Sequence, residues 1–199
     1  MKNIADQINK IIDDRKLFYD SLLGNYKPYL TEKSIQICNS INQASKLNCK
    51  TIICGNGGSH SQSSHLATEL MIRFKADSKR PSLPAIAISS DSGVITACSN
   101  DFGYEETFSR QLKALLNKDD CLIAFSTSGT SKNIIHGITM AQSIINPSNI
   151  FLITGYQPKT KDKNINLISC PITGSTETYQ EFHLLIIHMV CNALELIYD

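Results

Sequence analysis

The sequence lacks an excess of charge of either sign. Lysine and arginine total 19, and aspartate and glutamate total 18, so the formal net charge of the 199 residues is +1. Proteins that bind a nucleic-acid duplex usually carry a basic surplus that is concentrated on one face. The charge balance therefore argues against nucleic acid as a partner.

Long apolar runs and export signals are also missing. No apolar run approaches the roughly 20 residues that cross a bilayer, and the N-terminal residues lack the apolar core of a signal peptide. The 7 cysteines are odd in number, form no Cys-x-x-Cys pair, and several lie in apolar runs. We expect buried free thiols instead of disulfides or a cysteine-bound zinc, in a cytoplasmic protein with no membrane contact.

Apolar spacing at the N-terminus predicts a helical hairpin. Apolar residues recur every three or four positions over Ile4–Leu23, which predicts an amphipathic helix ending near Gly24. A second helix is predicted after Pro28, with Thr31 as its N-cap. The two helices form an extension over residues 1–48, whose apolar positions we expect to serve packing or oligomer contacts.

The remainder of the chain, residues 49–199, alternates short β-branched runs with helical spacing. This alternation predicts a parallel sheet covered by helices on both faces, within a single domain over residues 1–199. Ligands bind beyond the carboxyl ends of the strands in such sheets. The predicted strands are Thr51–Cys54, Ala85–Ile88, Cys121–Phe125, Asn149–Thr154 and Asn166–Cys170, and helices are predicted from the glycine-rich loop to Arg73 and from Thr178 to Tyr198.

Two loops that follow predicted strands have the composition of anion-binding sites. The first runs Gly55-Asn-Gly-Gly-Ser-His60, and its glycines let the backbone approach a ligand at the start of a helix. The second runs Ser126-Thr-Ser-Gly-Thr-Ser131, and N-capping explains one of its five hydroxyls but not all of them. We predict that the second loop binds a phosphate monoester.

Two helices carry candidate catalytic side chains. His65, Glu69 and Arg73 follow at four-residue intervals and so share one helical face. Gln180 and His188 share a face of the C-terminal helix, whereas His183 points away from it. A lone histidine on such an apolar helix is more often a core residue, but the combination of these side chains with an anion-binding loop favours a catalytic site. Arg73 either supports a phosphate or pairs with a carboxylate.

These segments together resemble one family. Gly55-Asn-Gly-Gly-Ser-His60, His65-Leu-Ala-Thr-Glu69, Asn100-Asp-Phe-Gly-Tyr104, the serine loop, and Gln180 through His188 occur in the order found in the phosphoheptose isomerases of the SIS (sugar isomerase) group. The resemblance covers the chain from about residue 50 to its end. It implies a three-layer α/β/α SIS fold and a homotetramer with active sites where subunits meet.

The resemblance also implies an activity and its residues. Family members interconvert D-sedoheptulose 7-phosphate and D-glycero-D-manno-heptose 7-phosphate through an enediol, the first step towards the activated heptoses of bacterial surface glycans. By this resemblance Glu69 and His188 are the catalytic base and its acid–base partner. The resemblance further implies that one Zn²⁺ per subunit is bound by His65, Glu69, Gln180 and His188. The implied substrate-binding residues are Asn56, Gly57, Gly58, Ser59, Glu69, Asn100, Asp101, Ser126, Thr127, Ser128, Ser131 and Gln180.

Two other functions are compatible with parts of the pattern. A non-catalytic SIS protein would bind a sugar phosphate or a replication initiator, but the retention of both Glu69 and His188 favours an enzyme. A nucleotide-dependent sugar kinase would use the glycine loop, but no Gly-Lys-Ser/Thr follows that loop.

Overall fold

The computed structural model describes residues 3–157 and 164–198 and begins with two long helices. Helix α1 (Ile4–Asn25) and helix α2 (Lys27–Lys46) form the predicted N-terminal hairpin. The prediction that Thr31 caps the second helix is wrong, because α2 begins at Lys27 and holds Pro28 in its first turn. Proline is tolerated there because N–H groups of the first turn have no intrahelical partner.

All five predicted strands are present, each within one residue of its predicted ends. The helix after the glycine loop is two residues shorter than predicted, and the last helix begins two residues earlier. The elements are β1 (Thr51–Gly55), α3 (Gly58–Met71), β2 (Ala85–Ala87), α4 (Ser92–Phe102), a 3-10 turn (Tyr104–Glu106), α5 (Thr107–Leu115), β3 (Cys121–Ser126), α6 (Lys132–Gln142), a second 3-10 turn (Pro147–Asn149), β4 (Ile150–Thr154), β5 (Asn166–Ser169) and α7 (Thr176–Tyr198).

The five strands form one parallel sheet in the order β2-β1-β3-β4-β5. Strand β2 lies on one side of β1, and β3, β4 and β5 follow one another on its other side. The order therefore reverses between β1 and β3, where Gly55 pairs with Phe125 at the carboxyl ends. Open α/β sheets bind ligands at this kind of reversal, and both loops of interest begin there.

Helices cover both faces of the sheet, so the three central strands β1, β3 and β4 are buried on both sides. Along β1 and β3, Ile53 and Ile123 pack with residues of α2, α3 and α7, whereas their neighbours Ile52 and Leu122 pack with residues of α5 and α6. Side chains of a strand alternate between faces, which explains why the apolar runs are continuous. The predicted three-layer α/β/α fold is confirmed.

Helix α7 is a core helix despite its apolar composition. Among the described residues it is the one helix long and apolar enough to cross a membrane by those two criteria. Its side chains pack instead against α2 and α3, and Phe182, Ile186, Val190 and Leu194 are buried. Its length and hydropathy are explained by its place between two helices and the sheet.

The cysteines have the predicted form. All seven are free thiols, and Cys49 is the one among them that is only partly buried. Burial raises the pKa of Cys54, Cys121 and Cys191 to about 12, so these thiols stay protonated at neutral pH.

Candidate active site

The glycine loop connects β1 to α3 through a left-handed backbone. Gly57 has φ +54°, a conformation that favours glycine, and α3 begins at the next residue without a side-chain N-cap. Ser59 is buried in the first turn of the helix. The first turn lies at the carboxyl edge of the sheet, where the sequence predicts an anion site, but its Ser59 and His60 N–H groups already donate to the Asn56 and Gly57 carbonyls at 2.9 and 3.0 Å.

Asn56 is held by a network that sequence reasoning missed. Its amide forms two reciprocal hydrogen bonds of 2.9 and 2.8 Å with the amide of buried Asn133, at the start of α6. The hydroxyl of Tyr104 donates a further hydrogen bond of 2.8 Å to the Asn56 oxygen. This network joins the glycine loop to the helix of the serine loop. A single asparagine at a helix start gives no sequence signal that it is buried.

The serine loop is a tight turn whose hydroxyls lie close together. Gly129 has φ +66° and donates its N–H to the Ser126 hydroxyl at 3.1 Å. The Ser126 and Ser131 hydroxyl oxygens are 3.4 Å apart, and Ser131 precedes α6 without a side-chain capping bond. The Thr127 carbonyl accepts a hydrogen bond from Gly155 at 3.0 Å. Ser128 and Thr130 are linked by a hydroxyl contact of 3.2 Å.

The candidate catalytic side chains meet where α3 packs against α7. The Nε2 atoms of His65 and His188 are 3.2 Å apart, and Oε1 of Glu69 is 3.7 Å from the same nitrogen of His65. The ring of Phe74 lies 5.6 Å from that of His188, centre to centre. The structure thus brings together three residues that lie up to 123 positions apart in the sequence.

The environment of His188 favours its neutral form. Burial lowers the pKa of His188 below its usual value, the neighbouring His65 lowers it further, and Glu69 opposes both effects. A neutral imidazole can both accept and donate a proton, which is what transfer between two oxygen atoms requires.

Gln180 lies at the other end of this helix pair. Its side-chain amide is against Gly58, so that a Cβ atom on Gly58 would collide with it, and its carbonyl accepts a hydrogen bond from Gln62. Eight residues separate Gln180 from His188, or about 12 Å along a helix. Within this chain Gln180 therefore lies beside the glycine loop and not beside the two histidines.

The remaining predicted residues are exposed or locally bonded. Asn100 and Asp101 lie at the exposed end of α4, where the Asn100 amide donates to the Asp101 carboxylate at 2.8 Å. Asp101 also borders an apolar cavity of about 480 Å³ between α4 and α5. Arg73, whose role the sequence leaves open, donates a 3.0 Å hydrogen bond to the carbonyl of Ala76.

The donor atoms at the helix junction fit two neighbouring positions of a zinc site. Two nitrogens bound to tetrahedral zinc at about 2.0–2.1 Å lie about 3.3 Å apart, and the two histidine nitrogens here are 3.2 Å apart. Oε1 of Glu69, 3.7 Å from Nε2 of His65, supplies an oxygen donor beside this pair. Within residues 3–157 and 164–198, no three His, Cys, Asp or Glu side chains already converge tightly enough to hold a metal.

His183 is a buried core histidine, the simpler of the two interpretations that its helix allows. It is fully buried beside Phe125, and its Nδ1 lies 3.1 Å from the Gln62 side-chain oxygen. Burial lowers the pKa of His183 to about 3. The neutral ring therefore ties α7 to α3.

We expect this histidine to make the protein acid-sensitive. Because the folded pKa lies below the usual value of about 6.5, the unfolded chain binds the proton first, and stability falls as pH drops from about 6.5 towards 3. The free energy of unfolding falls by about 1.4 kcal/mol for each pH unit in this range. Denaturant unfolding gives the free energy of unfolding at each pH. Between pH 7 and pH 5 this free energy should change less with pH for His183→Gln than for the wild type. Parallel curves would show that His183 is not the titrating group.

Comparison with known proteins identifies the family of the chain. A family model described as a SIS domain matches residues 25–144. A phosphoheptose isomerase of Leptospira biflexa is 44% identical over 142 residues, 71% of this chain and 71% of that protein. One from Geotalea uraniireducens is 33% identical over 192 residues, 96% of this chain and 97% of that protein.

A solved structure extends the comparison to three dimensions. A phosphoheptose isomerase from Francisella tularensis superposes with a TM-score of 0.85 at 26% identity, covering 98% of this chain and 99% of that one. Sequence and fold agree, and the chain belongs to the phosphoheptose isomerases of the SIS-domain family.

Proposed function

We propose that this protein is an aldose–ketose isomerase that converts D-sedoheptulose 7-phosphate to D-glycero-D-manno-heptose 7-phosphate. The observation that carries the proposal is the meeting of Glu69, His65 and His188 at the junction of α3 and α7. Relatives that bear the name phosphoheptose isomerase cover most of the chain. The product would enter the synthesis of activated heptoses for lipopolysaccharide or capsule.

The serine loop would hold the phosphate. Its hydroxyls and the N–H groups at the start of α6 offer donors without a cationic side chain. Ser59, in the first turn of α3, and Gln180 of α7, whose amide lies against Gly58, would contact the sugar. Fixing the far end of the substrate orients carbons 1 and 2 for reaction.

The reaction moves a proton between two neighbouring carbons. The Glu69 carboxylate would remove the proton from carbon 1 of the ketose and return it to carbon 2, which gives the aldose through an enediol. Neutral His188 would carry a proton between the two oxygens during this exchange. Both groups belong to helices that the core packing holds together.

We propose His65, Glu69 and His188 as zinc ligands. A donor atom bound to zinc cannot accept a proton at the same time, so Glu69 and His188 would act as base and proton carrier through the atoms that do not bind the metal. Gln180 stays a predicted fourth ligand whose amide, in this chain, lies against Gly58. Zinc, when bound, polarises a carbonyl oxygen and stabilises negative charge that develops on it.

We expect added Zn²⁺ to raise the melting temperature of metal-depleted protein. A ligand at 100 times its Kd stabilises the folded state by about 2.7 kcal/mol. The shift should be absent in His65→Ala and retained in His136→Ala, which removes a half-exposed histidine that pairs with Glu106. Equal shifts in both variants, measured by scanning fluorimetry, would place the metal elsewhere.

The exposed face of α1 supports an oligomer, and we propose the homotetramer of the family. Ile4, Ile8, Ile11 and Ile12 form an apolar stripe along this helix and are 74%, 51%, 58% and 59% exposed. Such stripes on a helix are usually covered by another surface. A second copy of the chain is the natural partner.

The free thiols agree with a reducing cytoplasm.

Isomerisation in D₂O tests the proposed function directly. Purified zinc-supplemented protein is incubated with D-sedoheptulose 7-phosphate, and the product is followed by NMR. We expect a heptose 7-phosphate with deuterium at carbon 2, because a carboxylate base exchanges its proton with solvent. If folded protein converts no substrate, the proposed isomerase activity is contradicted, and a non-catalytic role in binding a sugar phosphate is favoured.

A further inference from the structure

A buried arginine outside the predicted site closes the end of α3. Arg80 lies in the segment between α3 and β2, and its side chain is 1% exposed. Its guanidinium donates hydrogen bonds of 2.6 Å to the Glu69 carbonyl and 2.8 Å to the Leu70 carbonyl. The last carbonyls of a helix have no intrahelical partner, so Arg80 acts as a side-chain cap for the turn that carries the proposed base.

The same arginine is bound to the helix that carries His188. Glu195 of α7 is 2% exposed, and its Oε1 lies 3.3 Å from Nε of Arg80. Its carboxylate also accepts hydrogen bonds from the Ser78 hydroxyl and, at 3.4 Å, from the Phe74 backbone. Seven residues, close to two helical turns, separate Glu195 from His188, so both side chains project from the same side of α7.

Stability alone explains this buried ion pair poorly. Removing two charges from water is costly, and apolar residues of similar volume are often as stabilising as a buried ion pair. What apolar residues cannot do is bind the Glu69 carbonyl and α7 at once through directed hydrogen bonds. The pair joins the two helices at a fixed register, at the end of α3 that carries Glu69 and about two turns beyond His188 on α7.

We propose that Arg80 and Glu195 are positioning residues that hold the Glu69 carboxylate and the His188 ring in their working geometry. This inference rests on the proposed isomerase function. It assigns no contact with substrate to either residue. A displacement of about 1 Å between reacting groups can lower a rate by about 100-fold.

The test is the kinetics of Glu195→Gln, which keeps the shape of the side chain but removes its charge. We expect kcat to fall about 10- to 100-fold while KM stays within about threefold. The primary isotope effect on kcat, with deuterium at carbon 1 of the ketose, should rise because proton removal becomes slower. Arg80→Lys, which keeps the charge but loses the two-pronged donor, should behave in the same way.

A second buried ion pair provides the matched control. Asp120 is fully buried and binds Lys50 at 2.7 Å, just before β3 and β1 begin. This pair lies at the opposite end of the strands from both ligand loops. Asp120→Asn should lower the melting temperature as Glu195→Gln does, but leave kcat and the isotope effect at the wild-type values.

The outcomes separate this inference from the proposed function. An inactive wild type, if folded and loaded with zinc, contradicts the proposed function. An active wild type with unchanged kcat and isotope effect in folded Glu195→Gln and Arg80→Lys overturns the positioning role. Equal losses of kcat in Asp120→Asn also overturn it, because destabilisation alone then explains the effect.

Discussion

Replacing Glu69 by glutamine is expected to lower kcat for heptose-phosphate isomerisation by about 10²- to 10⁴-fold, the range that a general base contributes. The amide has the shape of the carboxylate but cannot accept a proton from carbon. KM should change little, because the phosphate would be held by the serine loop. The turnover assay with purified variant protein gives both constants.

Two controls make the Glu69→Gln result specific. Zinc content is measured in the same samples, because Glu69 is also a proposed metal ligand. Glu32→Gln changes an exposed glutamate of α2 that bonds Lys33 and Gln36, and it should leave kcat unaltered. If folded, zinc-loaded Glu69→Gln keeps more than a tenth of the wild-type kcat, Glu69 is not the catalytic base.

The second large effect is expected at Gly55, where β1 ends. A Cβ atom at this position would lie 2.5 Å from the carbonyl oxygen of Ser59 and 2.7 Å from its carbonyl carbon. These are backbone atoms of the first turn of α3, so they cannot move without moving the helix. Gly55→Ala should lower the free energy of unfolding by about 2–3 kcal/mol, the upper part of the usual cost of overpacking, and remove most activity.

Gly24→Ala is the matched control for this substitution. A Cβ atom on Gly24 would meet no atom within 4 Å, and alanine favours a helix over glycine by up to about 1 kcal/mol. Urea unfolding should therefore show Gly24→Ala to be equal to or more stable than the wild type. If Gly55→Ala unfolds at the wild-type urea concentration, the contact between β1 and α3 is looser than the structure indicates.

The sheet and its loops could be predicted because their signals are local. Buried parallel strands are continuous apolar runs, and the loops after β1 and β3 carry glycine and hydroxyl residues in unbroken segments. The end of the first helix near Gly24 was also visible. Thr31 misled the prediction because a hydroxyl residue after a proline has the pattern of an N-cap, whereas the proline itself already lies in the helix.

The arrangement between helices could not be read from spacing. Periodicity places His65 and Glu69 on one face and Gln180 and His188 on another, but it does not say which residues meet across the junction. The structure pairs His188 with His65 and places Gln180 at Gly58. This parallel pairing of α3 and α7 is set by the packing of both helices on the sheet, which depends on the whole core.

Buried polar residues outside the motifs were the other omission. Asn133 and Arg80 look like ordinary surface residues in a linear sequence, and their partners lie 77 and 115 positions away. Glu195 offered a weak signal, since it is a carboxylate in a strongly apolar helix. Such a residue needs a buried partner, but the sequence does not identify that partner.

The measurement that tests the central claim most directly is the turnover of D-sedoheptulose 7-phosphate beside unphosphorylated sedoheptulose, with purified zinc-loaded protein. The account predicts conversion of the phosphate ester to a heptose 7-phosphate, with kcat/KM at least about 100-fold above that of the free sugar, because the phosphate orients the reacting carbons. Absence of conversion, or equal kcat/KM for the two sugars, would contradict it.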